Sequence, residues 1–317
     1  MLEKLKEIAT QLFEEETIDT FIGYAQGSLH FKTTPLITQN KDDIERLVLN
    51  PFIYNNLSVF LKELPGKKIG IVVKGCDSRS LVSLIQDNQI ERNNLIIIGI
   101  PCDGLIDLTK LEDKTSCERW KFTNITRDGD SVRCVIDDSA KEFLIEDILC
   151  DKCLACPLPT PKECDMLLGD ERAPKKDIER SLTLMRRIEN MEYDDRWNFW
   201  KAEFKKCIRC YACRSICPAC SCDRCFVDIN MPQWLLPAST WDDNLIFQFM
   251  RNIHIAGRCS DCGECERACP VNIPLRTLAR NLNEEILSLY NFEVGMDIED
   301  KPLLSHFDYE DPEDFIL

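Results

Sequence analysis

The sequence is poor in several features that often indicate a function. Its longest apolar runs, such as residues 95–100, are far too short to cross a bilayer. Lys and Arg number 39 against 55 Asp and Glu, so the formal charge of −16 argues against binding to nucleic acid. The 3 histidines are scattered and match no Ser/His/Asp signature. The N-terminal segment has no secretory hydrophobic region, so we expect a cytoplasmic protein without a membrane span.

Cysteine, by contrast, is abundant, with 19 residues in a chain of 317. A reducing cytosol does not sustain a disulfide framework, so dense cysteine there indicates metal binding. The cysteines form two groups, a scattered one between Cys76 and Cys164 and a concentrated one between Cys207 and Cys269. Apolar residues at 44% and charged residues at 30% are ordinary for a globular protein, and the length corresponds to about two domains.

The first half has the pattern of an α/β domain. Two apolar runs at residues 67–73 and 94–100 flank a helix-like stretch at 78–89, which predicts a strand–helix–strand unit. Because both runs are apolar on both faces, we expect them to lie in a parallel sheet core. Residues 131–147 alternate between apolar and polar side chains, which predicts an antiparallel hairpin.

The predicted organisation is an α/β domain over residues 1–175, a linking helix over 176–200 and a mostly α-helical ferredoxin domain over 201–317. The linking helix is indicated by a highly charged stretch with apolar residues at helical spacing. Pro274, followed by leucines at helical spacing, marks a further helix directly after the last cysteine motif.

The strongest signal is a cysteine motif that occurs twice. The segments CIRCYACRSICP and CSDCGECERACP both have the C-x-x-C-x-x-C-x-x-x-C-P spacing of a two-cluster ferredoxin. Three thiolates on a tight loop contact one cubane, and the fourth leaves on a helix to reach the other cubane. Cross-ligation assigns one [4Fe–4S] cluster to Cys207, Cys210, Cys213 and Cys269, and a second to Cys217, Cys259, Cys262 and Cys265.

Three alternatives fit the repeat less well. A zinc ribbon uses paired Cys-x-x-Cys sets and has no use for the extra Cys-Pro. The spacing from Cys213 to Cys220 also matches radical S-adenosylmethionine enzymes, but no barrel of about 200 residues follows. Metal-free buried thiols would not recur twice at identical spacing. Cys220, Cys222 and Cys225 lie outside the motif, and we expect neighbouring or packed thiols there rather than a further metal site.

The spacer between Cys217 and Cys259 is too long for a compact βαββαβ bacterial ferredoxin, and its second part is helix-like. With these motifs, residues 195–292 resemble the α-helical ferredoxin domain of heterodisulfide reductase C subunits and of succinate dehydrogenase iron–sulfur subunits.

A weaker set of cysteines lies in the first half. The segment CDKCLACPLPTPKEC places Cys150, Cys153 and Cys156 at the spacing of metal ligands. A triplet lacks a fourth ligand, so the fold must deliver one. Cys102, at the end of a predicted strand, is the first choice, with Cys76 and Cys164 as alternatives. Zinc is an alternative to an iron–sulfur cluster at this site.

Three segments of the first half carry a second resemblance. KGCDSRSL, then IIIGIPCDGLID, then the triplet closing on CDMLLGD resemble the β-subunit family of deazaflavin-coenzyme hydrogenases and formate dehydrogenases over residues 68–170. The resemblance implies a third [4Fe–4S] cluster, usually FAD, and electron transfer between a reduced carrier and partner subunits. The ligands that it implies for this cluster are Cys102, Cys150, Cys153 and Cys156.

The sequence departs from that family at the segment expected to approach a flavin. Residues 50–61, NPFIYNNLSVFL, contain no glycine where the family has a glycine-rich segment. No G-x-G-x-x-G or Walker loop occurs elsewhere. The residues therefore argue against FAD binding, although the resemblance implies it.

These observations predict an electron-transfer subunit rather than a complete enzyme. Cubanes held by cysteine change charge by one electron and have no open site for substrate chemistry. The resemblance implies a heterodisulfide-reductase-A-like flavoprotein as one partner and a hydrogenase, formate dehydrogenase or similar oxidoreductase as the other. Two alternatives stay open: a catalytic iron–sulfur flavoprotein acting on a deazaflavin or nicotinamide coenzyme, and a zinc-bound assembly module.

Overall fold

The computed structural model describes residues 1–137, 139–303 and 309. The chain divides into two compact units. The first unit contains residues 1–78 and 91–181, and the second contains residues 79–90 and the chain from Leu182 onward. The predicted domain boundaries at residues 175 and 200 stay predictions.

The first unit is built from strands and short helices. Its strands are β1 (Thr20–Gln26), β2 (Thr33–Thr38), β3 (Ile69–Val73), β4 (Leu95–Gly99), β5 (Phe122–Asp128), β6 (Ser131–Ile136), β7 (Ser139–Leu144) and β8 (Met166–Leu167). Its helices are α1 (Leu2–Glu14), α2 (Gly75–Gln86), α3 (Leu108–Thr115), α4 (Ile145–Ile148), α5 (Asp151–Leu154) and α6 (Ile178–Ser181). Helix α2 begins in this unit, and its residues from Arg79 onward are grouped with the second unit.

The central sheet of the first unit has the order β2-β1-β3-β4-β8. Strands β1, β3, β4 and β8 are parallel, and β2 pairs with β1 in the antiparallel direction. Every residue of β3 is buried, as both faces of a parallel sheet are covered by other elements. The predicted parallel core is therefore confirmed. Strands β5, β6 and β7 form a separate antiparallel sheet in which β6 and β7 are the predicted hairpin.

The carboxyl ends of β3 and β4 bring cysteines to one edge of the central sheet. Strand β3 leads through Lys74 into α2, so that Cys76 lies in the first turn of that helix. A Cβ built on Gly75 would lie 1.5 Å from the carbonyl oxygen of Leu158, so this position requires glycine. Strand β4 leads through Pro101 to Cys102. The edge is where parallel sheets collect functional side chains.

The second unit is helical in its described part. Its helices are α7 (Thr183–Glu189), α8 (Tyr193–Lys205), α9 (Ala212–Ser215), α10 (Trp241–His254), α11 (Glu264–Arg267) and α12 (Leu275–Tyr290). Thr240 caps α10 by accepting a hydrogen bond from the backbone N–H of Asp243, and α12 begins directly after Pro274, as the sequence predicts. The mostly α-helical fold of this region is confirmed. In the described residues, no helix is both long and apolar enough to cross a membrane.

A small core holds the second unit together around the cysteine motifs. Its buried members are Phe204, Cys213, Leu235, Phe247, Cys265, Ile273 and Leu275. The Trp200 ring stacks on Phe204 with a centroid distance of 5.5 Å, so these aromatic residues of the charged stretch serve as core. Because motif cysteines are themselves core residues, the loops that carry them are fixed by apolar packing.

The segment predicted as one linking helix contains three helices instead. Helix α6 ends at Ser181, α7 ends at Glu189, and α8 begins at Tyr193. Leu182 has a φ of −109° and a ψ of 9°, which is outside the regular helical range, and it separates α6 from α7. Helix α7 has its own buried side chains, Met185 and Ile188.

Candidate metal centres

The two cysteine motifs of the second unit have left-handed residues at the same two positions. Their third residues, Arg209 and Asp261, have φ values of 50° and 55°, and their fifth residues, Tyr211 and Gly263, have φ values of 60° and 70°. Residues other than glycine rarely adopt this left-handed region. Its recurrence at matched positions shows that the loop shape is required in both copies. Loops of this kind turn successive N–H groups inward and form concavities for anions.

Each loop leads into a one-turn helix that carries the third cysteine of its motif. Helix α9 carries Cys213 and helix α11 carries Cys265, and both residues are buried. The fourth cysteines, Cys217 and Cys269, follow these helices. The repeat in sequence is therefore also a repeat in structure.

The four cysteines assigned to the second cluster surround one cavity. This cavity contains about 510 Å³ of space without protein atoms, part of it open to solvent. Its lining includes Cys217, Cys259, Cys262 and Cys265. Thiols from two separate motifs facing a single space are what a cross-ligated cubane requires, so these residues fit the group.

The pKa values of these thiols report the same grouping. Burial raises the pKa of Cys259 to about 12, and the charges of Asp261, Cys217 and Cys262 add to the effect. Burial also raises the pKa of Cys265 well above its ordinary value, with contributions from the other three thiols of the set. Thiols that disfavour one another's ionisation are close neighbours, and a bound metal would reverse this by holding them as thiolates.

Cys217 differs from Cys259 and Cys265 in the direction of its pKa shift. A hydrogen bond from the Cys220 thiol lowers the pKa of Cys217 to about 5, against the opposing effect of burial. The charge of Arg251 and the backbone N–H groups of Ala219 and Cys220 act in the same direction. Cys220, which lies outside the motif, is thus a neighbouring thiol of a candidate ligand.

The first candidate cluster site is less enclosed. Burial raises the pKa of Cys213, and the charges of Cys207 and Cys269 raise it further, which places these three thiols together. Cys210 is exposed, and in the described part of the chain its thiol has no polar contact with the other three. The structure therefore brings together three of the four predicted ligands and leaves the fourth at the surface of the same loop.

Backbone and side-chain donors point at the sulfurs of this first site. The N–H of Arg209 donates to Cys207 Sγ at 3.4 Å, and Gln248 Nε2 lies 3.7 Å from the same sulfur. The N–H of Ile273 donates to Cys269 Sγ at 3.4 Å. Hydrogen bonds to cysteine sulfur stabilise the thiolate form and tune the potential of a cluster that it holds.

Among the described residues, no group of three or more His, Cys, Asp or Glu side chains is arranged to hold a single metal ion. A cubane differs from a single ion because its ligands bind separate iron corners and need not converge on one point.

The first unit brings a third set of cysteines to the carboxyl edge of its sheet. Cys150 and Cys153 are hydrogen-bonded to each other through their side chains, and the N–H of Leu105 donates to Cys153 Sγ at 3.4 Å. The hydrogen bond from Cys150 lowers the pKa of Cys153 to about 6, although burial opposes this. Burial raises the pKa of Cys102 to about 11, with contributions from the charges of Cys153 and Cys156.

Among the three candidates for the fourth ligand, Cys102 is grouped with the triplet. The charges that act on Cys164 are those of Asp165, Glu163 and Arg92, and none is a cysteine of the triplet. Its Sγ lies 3.8 Å from the carbonyl oxygen of Pro161. Cys76 Sγ lies 3.8 Å from Asp77 Oδ1. The electrostatic neighbours of Cys102 include two members of the triplet, which favours it as the fourth ligand.

A fully buried ion pair lies beside this third set. Lys74 Nζ is 2.7 Å from Asp77 Oδ2, and both side chains are 0% exposed. Lys74 also donates to the Tyr24 hydroxyl and to the carbonyl oxygen of Asn55 at 3.1 Å. The charge of Lys74 favours the thiolate form of Cys102. Lys74 is therefore a fixed cation close to the edge where the cysteines collect, and Asp77 balances its charge.

Sequence reasoning missed a row of polar side chains on the buried face of α10. Asn244, Gln248 and Arg251 occupy this face together with Phe247. Asn244 Nδ2 donates to the carbonyl oxygen of Cys207 at 2.7 Å, and Arg251 Nη2 donates to that of Cys213 at 3.0 Å. The available signal was the helical spacing of these polar residues on the side that Phe247 marks as buried.

Comparisons with known proteins agree with this geometry. Residues 203–273 match the 4Fe-4S dicluster domain family. Over 93% of its length the chain is 23% identical to the β subunit of the F420-dependent formate dehydrogenase of Methanocaldococcus jannaschii, covering 92% of that protein. A β subunit of F420-dependent formate dehydrogenase 1 from Methanococcus maripaludis is 24% identical over 92% of this chain, and the match covers 90% of that protein.

Solved structures also match parts of the chain. A chain of the F420-reducing [NiFe] hydrogenase complex from Methanosarcina barkeri aligns with 49% of this chain and 61% of its own length, with 17% identity and a TM-score of 0.38. The resemblance predicted from the sequence is confirmed by the two sequence relatives and the domain match: the chain is similar over most of its length to β subunits of F420-dependent formate dehydrogenases and carries a 4Fe-4S dicluster domain in its C-terminal part.

Proposed function

We propose that this chain is the iron–sulfur electron-transfer subunit of an oxidoreductase of the F420-dependent formate dehydrogenase type. The observation that carries the proposal is the cavity of the second unit, which is lined by all four cysteines of one cross-ligated set. The similarity to formate dehydrogenase β subunits over most of the chain supports the assignment to an oxidoreductase complex.

The proposed ligand sets follow the grouping of the thiols. The first cluster would be held by Cys207, Cys210, Cys213 and Cys269, the second by Cys217, Cys259, Cys262 and Cys265, and the third by Cys102, Cys150, Cys153 and Cys156. When bound, a cubane of this kind accepts and releases one electron at a time. The cysteines of the chain would occupy the iron corners, so that no corner is left open for substrate.

The surroundings of the thiols would tune this chemistry. Donors such as the N–H groups of Arg209 and Ile273 stabilise negative charge on the sulfurs that they contact. Burial of Cys213, Cys262 and Cys265 excludes water, which strengthens the influence of nearby charges. The exposed Cys210 would put the first cluster nearest to the surface, where a partner could exchange electrons with it.

The proposed partners hold the two ends of the relay. One is the formate dehydrogenase or hydrogenase-type catalytic subunit, which is supported by the names of the sequence relatives. The other is a heterodisulfide-reductase-A-like flavoprotein, which is supported by the resemblance of residues 195–292 to heterodisulfide reductase C subunits. We place the complex in the cytoplasm, in keeping with the acidic composition of the chain.

Iron, acid-labile sulfide and flavin measured together on the anaerobically purified chain test the proposal. Three cubanes predict about twelve irons and as many sulfides per chain. The Cys262→Ala variant should lose about four of each, because it removes a buried ligand of the second set. Cys134→Ala is the matched control: Cys134 is fully buried in β6, away from the three sets, and its removal should leave the iron content unchanged.

The outcomes separate the possible metals. Zinc without sulfide in the purified chain would contradict the relay and establish the assembly module. About eight irons would mean that the third set does not hold a cluster.

A second candidate function is a catalytic flavoprotein that oxidises or reduces a deazaflavin or nicotinamide coenzyme. The first unit has an open groove with about 1120 Å³ of space without protein atoms, lined in part by Asn50, Arg127 and Arg172. Asp103, which follows Cys102, also lines the groove and pairs with Arg172 at 2.7 Å. A ring system bound there would lie next to the third cysteine set. Retention of FAD by the purified single chain would favour this function over the bare relay.

A further inference from the structure

Arg251 is a buried cation whose hydrogen-bonding capacity is only partly used. The residue lies on α10 and is 3% exposed. Nη2 donates to the carbonyl oxygen of Cys213 at 3.0 Å, whereas Nε and Nη1 are buried without any hydrogen-bond partner among the described residues. Leaving charged donors unpaired in an apolar interior is unfavourable, so an anion at this position is expected from the geometry alone.

The negative charges that act on Arg251 are those of cysteines from both motifs and of Cys220. Burial alone would lower the pKa of Arg251, but the charges of Cys265, Cys217, Cys220 and Cys213 raise it well above its ordinary value. Cys217 and Cys265 line the cavity of the second set, and Cys213 belongs to the first set. In the described part of the chain, Arg251 forms no ion pair with a carboxylate, unlike Arg258, which lies 2.6 Å from Asp87.

We propose that Arg251 is a positioning residue that sets the reduction potentials of the two clusters in the second unit, by donating its unpaired N–H groups toward cluster sulfur from between the two sites. This inference rests on the proposed function. Its influence should be larger on the second cluster, because the two thiols whose charges act most strongly on it, Cys265 and Cys217, belong to that set.

The physical reason is charge. A cluster with its thiolates is negative, and reduction adds one further negative charge. A guanidinium held in a buried site stabilises that added charge more strongly than it would in water, because the surroundings screen it weakly. Removing the cation should therefore make both clusters harder to reduce. It should also increase the repulsion between the two reduced clusters.

The test is a redox titration of the full chain, purified anaerobically and followed by electron paramagnetic resonance. The Arg251→Gln variant is compared with the parent chain at equal iron content. We expect the ratio of reduced to oxidised second cluster at a fixed potential to fall at least tenfold, which for a one-electron couple is about 59 mV. The first cluster should shift in the same direction by a smaller factor.

Two further variants act as controls. Arg186→Gln removes an exposed guanidinium of the same unit that pairs with Glu189 at 2.9 Å, and it should leave both titrations within twofold of the parent. Arg251→Lys keeps the charge and should change the ratio by less than Arg251→Gln does.

Each outcome decides the inference. Equal midpoint potentials in the parent and the Arg251→Gln variant would overturn it, as would equal shifts in Arg251→Lys and Arg251→Gln. If Arg251→Gln does not retain clusters, the Arg251→Lys variant decides. If that variant retains its clusters and its ratio of reduced to oxidised second cluster is within threefold of the parent, the role of the charge is supported. If it also loses its clusters, the inference is contradicted. A parent chain without clusters would instead refute the proposed function, so the two failures are distinguishable.

Discussion

The buried pair of Lys74 and Asp77 gives a quantitative prediction about the edge that carries the third cysteine set. The ammonium and the carboxylate are 2.7 Å apart, and neither side chain is exposed to solvent. Asp77 Oδ2 also accepts hydrogen bonds from the Tyr24 hydroxyl at 3.2 Å and from the backbone N–H of Lys74 at 3.1 Å. Removing one charge therefore leaves the other buried without its counter-charge.

The perturbation is Lys74→Met, which keeps the length of the side chain and removes its charge. Breaking a buried ion pair on one side costs about 3–5 kcal/mol, because the remaining charge stays desolvated. Asp77→Asn should be destabilising for the same reason. The double variant should lose about 3 kcal/mol less free energy of unfolding than the sum of the two single losses, since it leaves neither charge unpaired.

Hydrogen exchange of the backbone amides, measured by mass spectrometry on peptides covering β3 and β4, is the assay. At about 1.4 kcal/mol per factor of ten, the loss predicts that exchange of the β3 amides accelerates by roughly two to four orders of magnitude. The matched control is Lys6→Met. Lys6 pairs with Glu45 at 3.0 Å, but the carboxylate is 79% exposed, so the expected loss is at most about 1 kcal/mol.

Exchange of the β3 amides within tenfold of the parent in Lys74→Met would refute the reasoning. Simple addition of the two single losses in the double variant would refute it as well, because the charges would then not depend on each other.

Three further predictions concern the same unit. Cys102→Ala should lower the iron content from about twelve to about eight, whereas Cys164→Ala should leave it unchanged; the opposite result would move the fourth ligand to Cys164. Gly75→Ala should prevent the first unit from folding, because the added Cβ would lie 1.5 Å from the carbonyl oxygen of Leu158. Its backbone amides should then lose their protection from hydrogen exchange. The charge of Asp77 raises the folded-state pKa of Lys74 above 10.5 despite burial, so the stability that Lys74 adds should be complete below about pH 10.5 and disappear only as the pH rises further. Circular dichroism melts should show this alkaline loss in the parent and not in Lys74→Met.

The sequence carried the information needed for the elements with strong periodicity. Strands β3 and β4, the β6–β7 hairpin and helix α12 lie where their apolar patterns predict them. The doubled cysteine motif could be read from the sequence because its spacing repeats exactly, and the two loops repeat even in their left-handed residues. Spacing alone could not select Cys102 over Cys76, because that choice depends on which strand end lies beside the triplet in space.

Other features depend on tertiary packing that no local pattern contains. The break of the charged stretch into α6, α7 and α8 was not visible because helical spacing continues across Leu182. The burial of Arg251 was hidden for a different reason. An arginine in an amphipathic helix is ordinarily assigned to the solvent face, and only the fold shows that this one is buried and donates to the carbonyl oxygen of Cys213.

The most direct test of the central claim is the electron paramagnetic resonance spectrum of the anaerobically purified full chain after reduction with dithionite. The relay predicts signals of reduced [4Fe–4S] clusters, and magnetic interaction between the two clusters proposed for the second unit should broaden their signals. A reduced sample without any paramagnetic iron–sulfur signal would contradict the account.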